Sequence, residues 1–142
     1  MLATIEEASK NFCIHQIRLP YVVENGVSNK RMLITYVNIE TQDTKKYRVY
    51  VASETSFMQR VAKVFLEEEQ SDQETLIDMA LETTNLIVGS AKVIAQELNK
   101  NPYNIETPHF EKFDRFDFNI DESKSIIIGN DVISIAIKEL NG

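Results

Sequence analysis

Glu82 and Asn85 stand three residues apart, and their types suit a chemistry that neither could perform alone. On a helix, residues at that spacing lie on one face. An amide cannot abstract a proton at neutral pH. It donates and accepts hydrogen bonds at once, so it can hold a water molecule in a fixed direction. A glutamate beside it can pair with a cation. Aligning a water with a phosphorus atom is a large part of what phosphoryl transfer to water requires. The pair therefore suits hydrolysis of a phosphate that a partner brings, with no nucleophile and no metal of the chain's own.

Residues 72–100 must position that pair, as the longest segment with helical period. Asp72 is the candidate N-cap, and Asn99, Asn101 and Pro102 supply the stop. At about 100° per residue, Ile77, Ala80, Thr84, Ile87, Ala91, Ile94 and Leu98 form a core face, with Val88 and Ala95 at its margin. Asp78, Glu82, Asn85, Gly89, Lys92 and Gln96 form a separate stripe, flanked by Met79, Leu86 and Val93. Most such stripes are simply solvated. Three features argue for a docking surface. Gly89 sits inside the helix, where glycine costs about 1 kcal/mol relative to alanine. The flank is apolar. Between Glu82 and Lys92 the stripe offers only a short amide and a bare backbone. Asp78, Met79, Leu86, Gly89, Lys92 and Val93 are thus the expected partner contacts.

Other chemistries find little support. The two histidines, His15 and His109, have no Cys or His at ligand spacing, which argues against zinc. No glycine-rich phosphate loop and no Gly-x-Ser-x-Gly is present. Twenty-two acidic against 15 basic residues give a net charge of -7, which argues against nucleic-acid backbone binding. Cys13, the one cysteine, excludes an internal disulfide and is expected to be a small buried hydrophobe. The first ten residues lack a signal-peptide pattern, and no apolar run reaches the ~18 residues of a membrane span. A cytoplasmic protein with no membrane partner is the default.

With 142 residues, 43% of them hydrophobic, the chain is expected to form a single domain, residues 1–142, with a real core. Residues 2–10 read as a short helix or a strand entry, and Phe12 to Ile17 as a strand. Residues 31–39 and 47–52 alternate as an antiparallel hairpin. Ser53 to Glu69 reads as a helix, with Ser53 as N-cap. After the long helix, Asp121 to Lys124 reads as a turn, and residues 125–128 and 132–137 as a second hairpin around Gly129-Asn130-Asp131. The expected class is α+β: a mainly antiparallel sheet with two helices on one face, the longer carrying the site.

The run Glu82-Thr83-Thr84-Asn85-Leu86-Ile87-Val88-Gly89-Ser90-Ala91-Lys92 resembles the signature helix of the CheC/CheX/FliY chemotaxis phosphatases. With one Glu-x-x-Asn pair, the resemblance is to single-site CheX rather than two-site CheC. It covers residues 72–108, where Asp78, Gly89 and Thr107-Pro108 also fit the pattern. A glycine-containing hairpin usual early in such domains is missing from residues 31–53. The resemblance implies a phosphatase acting on the aspartyl phosphate of a CheY-like receiver. Asn85 would orient the hydrolytic water and Glu82 would pair with the receiver's lysine. The receiver would supply Mg²⁺, and the chain no cofactor. A homodimer built through the sheet is also implied. The other reading is a non-catalytic adaptor that docks a receiver, chemoreceptor or flagellar component through the same helix.

Overall fold

The computed structural model describes residues 1–13, 17, 18, 20–98 and 102–140. In chain order the elements are α1 (Leu2–Phe12), β1 (Val22–Asn25), β2 (Arg31–Thr41), β3 (Lys46–Ser53), α2 (Thr55–Leu66), α3 (Gln73–Glu97), β4 (Tyr103–Ile105), β5 (His109–Arg115), β6 (Glu122–Ile128) and β7 (Asp131–Glu139). All seven strands join one antiparallel sheet in the order β1-β6-β7-β3-β2-β4, with β5 also paired to β2. The architecture is α+β, as the alternation of periods implies.

Period-two patterning sets the register. Leu33, Thr35, Val37 and Ile39 alternate along β2, opposite Ser53, Val51, Val49 and Tyr47 of β3. This face meets the helices, and Phe57, Val61, Leu76, Ile87, Ile133 and Ile135 fill the space between. On the other face, Met32, Ile34, Tyr50, Ala52 and Ala136 form a smaller cluster, covered by Phe116, Phe118 and Ile120. Phe118 stacks on Tyr50 at 4.9 Å and Phe116 meets it edge-on at 5.1 Å. That second cover explains why β2 is buried on both faces for much of its length.

β5 shows how one extra residue redirects side chains. Phe110 pairs with Thr35 and Phe113 with Leu33, yet the phenylalanines stand three positions apart in the sequence. In a regular strand that spacing would put them on opposite faces. A register shift at Ile34/Thr35 inserts one unpaired residue, so both rings pack against the helix-side core.

Several expectations need correction. Three helices, not two, pack on the sheet. The undecided N-terminal segment is helix α1. Phe12 and Cys13 close that helix instead of opening a strand; residues 14–16 of the expected strand, His15 among them, lie outside the described residues. The apolar run was strand-like in composition, but Leu2, Ile5, Ala8 and Phe12 recur at helical spacing and are buried. Cys13 is buried, and desolvation pushes its thiol pKa up to about 12. Ser53 is the buried end of β3 and caps nothing; α2 begins at Thr55 with Glu54 in the N-cap position. Residues 22–25 form the edge strand β1, and Glu122, expected in a turn, already belongs to β6.

Two local devices aim α3. Glu67 ends α2 in the left-handed region at φ 58. The Gln59 side chain then accepts from the Ser71 N–H at 2.9 Å and donates to the Ser71 carbonyl at 2.8 Å, which fixes the link. Asp72 caps α3 as expected, its carboxylate accepting from the Thr75 N–H at 2.9 Å. Hydrogen bonding to the Thr75 side chain, and then to its backbone N–H, holds the Asp72 pKa below the usual carboxylate value.

Candidate active site

The buried face of α3 is anchored at two points near Asn85. The Thr84 and Thr35 hydroxyls meet across the helix–sheet interface, with the Ala80 carbonyl 2.8 Å from the first and the Val51 carbonyl 3.0 Å from the second. One turn on, the Tyr103 hydroxyl of β4 donates to the Val88 carbonyl at 2.9 Å. Burial pushes the pKa of that phenol up, so it stays a donor. These contacts leave α3 little freedom to rotate, which fixes the direction of the residues on its opposite side.

That side carries the stripe. Asp78, Glu82, Asn85 and Gln96 are exposed, while Gly89 and Lys92 are half-buried. Among the described residues, no hydrogen bond engages the Asn85 amide and no ion pair engages Asp78, Glu82 or Lys92. Among the described residues, a Cβ built on Gly89 would meet nothing within 4 Å, so no contact there requires glycine. Asn85 and Gly89 form one wall of an open groove, and Ile105 at the end of β4 with Glu106, Thr107 and Pro108 of the β4–β5 link form the other. A separate, smaller polar dent lies at Lys92, bounded by Glu40, Gln42, Gln96 and Asn104. An unengaged amide beside such a groove can hold a water between itself and a ligand.

The sequence profile described as Chemotaxis phosphatase CheX matches residues 35–128, about two thirds of the chain. The chain belongs to the CheX family. No curated protein matches at a significant level. Among solved structures, chemotaxis protein CheX from Vibrio vulnificus superposes with a TM-score of 0.80 at 14% identity, covering 96% of this chain and 97% of that one. CheX from Desulfovibrio desulfuricans gives 0.72 at 15% identity, with 97% of both chains covered. The chain of a CheX–CheY–BeF3–Mg²⁺ complex from Borrelia burgdorferi gives 0.71 at 14% identity, covering 97% and 96%. At these identities the likeness establishes the CheX fold.

Against that fold, the sequence-derived stripe lies on one open face of α3, but its flank divides. Leu86 and Val93 are 40% and 50% exposed and stay available to a partner. Met79 is only 8% exposed and belongs to the core, so it is withdrawn from the partner contacts. The wheel placed the buried arc too narrowly. Leu76, Met79 and Thr83 are buried because α1 and α2 pack along that side; Thr83, for example, faces Met58 of α2 with its hydroxyl 3.8 Å from the sulfur. Ile77 and Ile94 are correspondingly half-buried and Leu98 is 57% exposed.

The second wall of the groove escaped the sequence reading. Its residues follow the helix in sequence, and Thr107-Pro108 entered the reading only as a match to the family pattern. Among the described residues, no group of three His, Cys, Asp or Glu side chains is gathered that could hold a metal ion. Among the described residues, no helix is long and apolar enough to cross a membrane. His109 is exposed and lies against Tyr36 with ring centroids 5.3 Å apart, a packing contact.

Proposed function

We propose that the chain hydrolyses the aspartyl phosphate of a CheY-like receiver, with Asn85 orienting the water and Glu82 pairing with a receiver lysine. Water oxygen bonds to phosphorus as the bond to the aspartyl oxygen breaks. The products are the free carboxylate and inorganic phosphate, and the protons of the water leave with the phosphate. Asn85 accepts no proton in this scheme. Its amide restricts where the water sits, which converts a rare alignment into a standing one. In this scheme the receiver supplies the phosphate, the Mg²⁺ and the lysine, as the CheX–CheY–BeF3–Mg²⁺ complex of the Borrelia burgdorferi relative suggests. Asp78, Leu86, Lys92 and Val93 then serve as docking contacts around the groove.

The observation that carries this reading is the unengaged Asn85 amide beside Gly89, over which none of the described residues packs. A helix that spends a glycine on empty space is expected to have it filled by something else. Membership of the CheX family and the fold shared with a CheX that was crystallised with CheY support the same partner class.

The test follows phosphate loss from a phosphorylated CheY-type receiver with catalytic amounts of the chain. Native protein should accelerate the loss. Asn85→Ala should reduce the acceleration by about a hundredfold or more, the scale of losing a positioned group in the transition state, while its melting temperature stays unchanged. Equal acceleration by native protein and Asn85→Ala would sink the assignment of Asn85. Receiver binding without acceleration by native protein would establish the adaptor reading instead.

A further inference from the structure

We infer that the β4–β5 link, residues 106–108, is a specificity wall of the docking groove, and that Glu106 recognises a second basic residue of the receiver outside its phosphate pocket. This inference rests on the proposed docking of α3 against a receiver and extends it to the opposite side of the groove.

The argument starts from register. Ile105 pairs with Ile39 of β2, and His109 pairs with Tyr36. Three residues, Glu106, Thr107 and Pro108, therefore face only Asn38 and Val37. One residue is surplus, so the link must arch away from the sheet edge, as bulged connections beside binding sites do. Both of its ends are held. The Glu106 N–H donates to the Asn38 carbonyl at 3.0 Å, and Tyr103 ties the preceding strand to α3. Pro108 brings no N–H that would be left unpaired at this edge. The arch is thus anchored at its feet and stands beside Asn85 and Gly89.

Its composition fits a partner rather than solvent alone. Ile105 and Pro108 are half-buried, while Glu106 and Thr107 are exposed. Among the described residues, no ion pair engages Glu106. Glu82 stands on α3 one turn before Asn85, and Glu106 stands in the facing wall. A protein that enters the groove therefore meets an unpaired carboxylate from each side. Glu82 is already assigned to the lysine next to the phosphate. Glu106 needs a different cation, and complementarity places a lysine or arginine on the receiver surface that rests on the arch.

A contact of this kind acts on docking and leaves the water untouched. The measurement is steady-state phosphate release against concentration of a receiver kept phosphorylated by a small acyl phosphate. The variants are Glu106→Gln, Glu106→Lys and Asn85→Ala, each checked by thermal melting. Removing the charge should raise KM by about threefold, and reversing it by about tenfold. In both cases kcat should stay within about twofold of native, the pattern of a group that binds ground state and transition state equally. The difference should shrink as salt rises. If Glu106→Lys matches native in KM while Asn85→Ala is silent, the wall inference is overturned and the phosphatase reading stands. If Asn85→Ala turns over like native, or native protein shows no turnover, the phosphatase reading fails. Titration with a beryllofluoride-loaded receiver then decides the wall: weaker binding by Glu106→Lys upholds it, and equal binding overturns it.

Discussion

Substituting Gly89 should make the protein more stable and less able to dock. The residue lies inside α3, well away from either end, with ordinary helical geometry. Gly89→Ala therefore removes backbone freedom from the unfolded chain and adds a methyl group that meets no atom within 4 Å. The propensity gain of a helix-interior alanine is about 1 kcal/mol. For a chain of 142 residues the unfolding entropy converts that gain into a rise of about 3 °C in Tm. The larger Gly89→Leu should keep most of the stability, since its side chain can extend into the open groove. It should also occupy the space between Asn85 and the 106–108 arch. Overpacking of a fitted surface costs about 1–3 kcal/mol, or roughly fivefold to 150-fold in receiver affinity. The assay pairs melting curves of native, Ala and Leu proteins with titration of a beryllofluoride-loaded receiver. A lowered Tm for Gly89→Ala would show that some contact within the chain requires the glycine, against the geometry. Undiminished receiver binding by a stable Gly89→Leu protein would refute the groove as the docking surface.

Two further substitutions probe the scaffold that holds the site. Tyr103→Phe deletes the hydrogen bond to the Val88 carbonyl without changing the ring; stability should fall by about 1 kcal/mol, read as a Tm lower by about 3 °C, and an unchanged melt would show that the bond does not anchor β4 to α3. Asp131 accepts from Ser56 at 2.6 Å and from Arg60 at 2.7 and 3.0 Å while only 5% exposed. Asp131→Ala should cost about 2 kcal/mol in urea unfolding, below the range for a fully buried pair because Arg60 reaches water, and a loss under about 0.5 kcal/mol would contradict that account.

The parts of the fold legible in the sequence were those with a long, unambiguous period. The β2–β3 hairpin announced itself through alternation, and α3 through 25 residues of helical spacing closed by the Asp72 cap. The β6–β7 hairpin was legible because Gly129, at φ 60, supplies a backbone conformation that glycine adopts without strain. Short elements were not. α1 has only 11 residues, and its apolar positions could have served a strand entry as well as a helix. β1 is a four-residue edge strand next to a turn, too short for any period to show. Met79 was misplaced for a different reason. A wheel describes one helix, whereas the width of its buried arc depends on how many neighbours pack against it. Knowing nothing of α1, the sequence could not report that α3 is buried well round to Met79.

The site divides along the same physical line. Glu82, Asn85 and Gly89 were legible because they share one helix, so spacing alone put them on one face. The 106–108 arch was not, because its place beside Gly89 depends on the antiparallel pairing of β4 and β5 with β2, contacts that no local pattern records. This difference bears on how the two walls can change. α3 is locked by Thr84, Val88 and its buried face, so its stripe can alter only residue by residue. The arch is held at its ends and free between them, so exposed residues such as Glu106 and Thr107 can be replaced without disturbing the core. On the proposed reading the rigid wall carries the demanding geometry, a water aligned to within a fraction of an ångström. The adjustable wall carries the choice of receiver. A chemistry shared across receivers belongs on the helix, and a preference among receivers belongs on the arch. Exchanging residues 106–108 should therefore redirect the phosphatase between receivers while leaving its dependence on Asn85 intact.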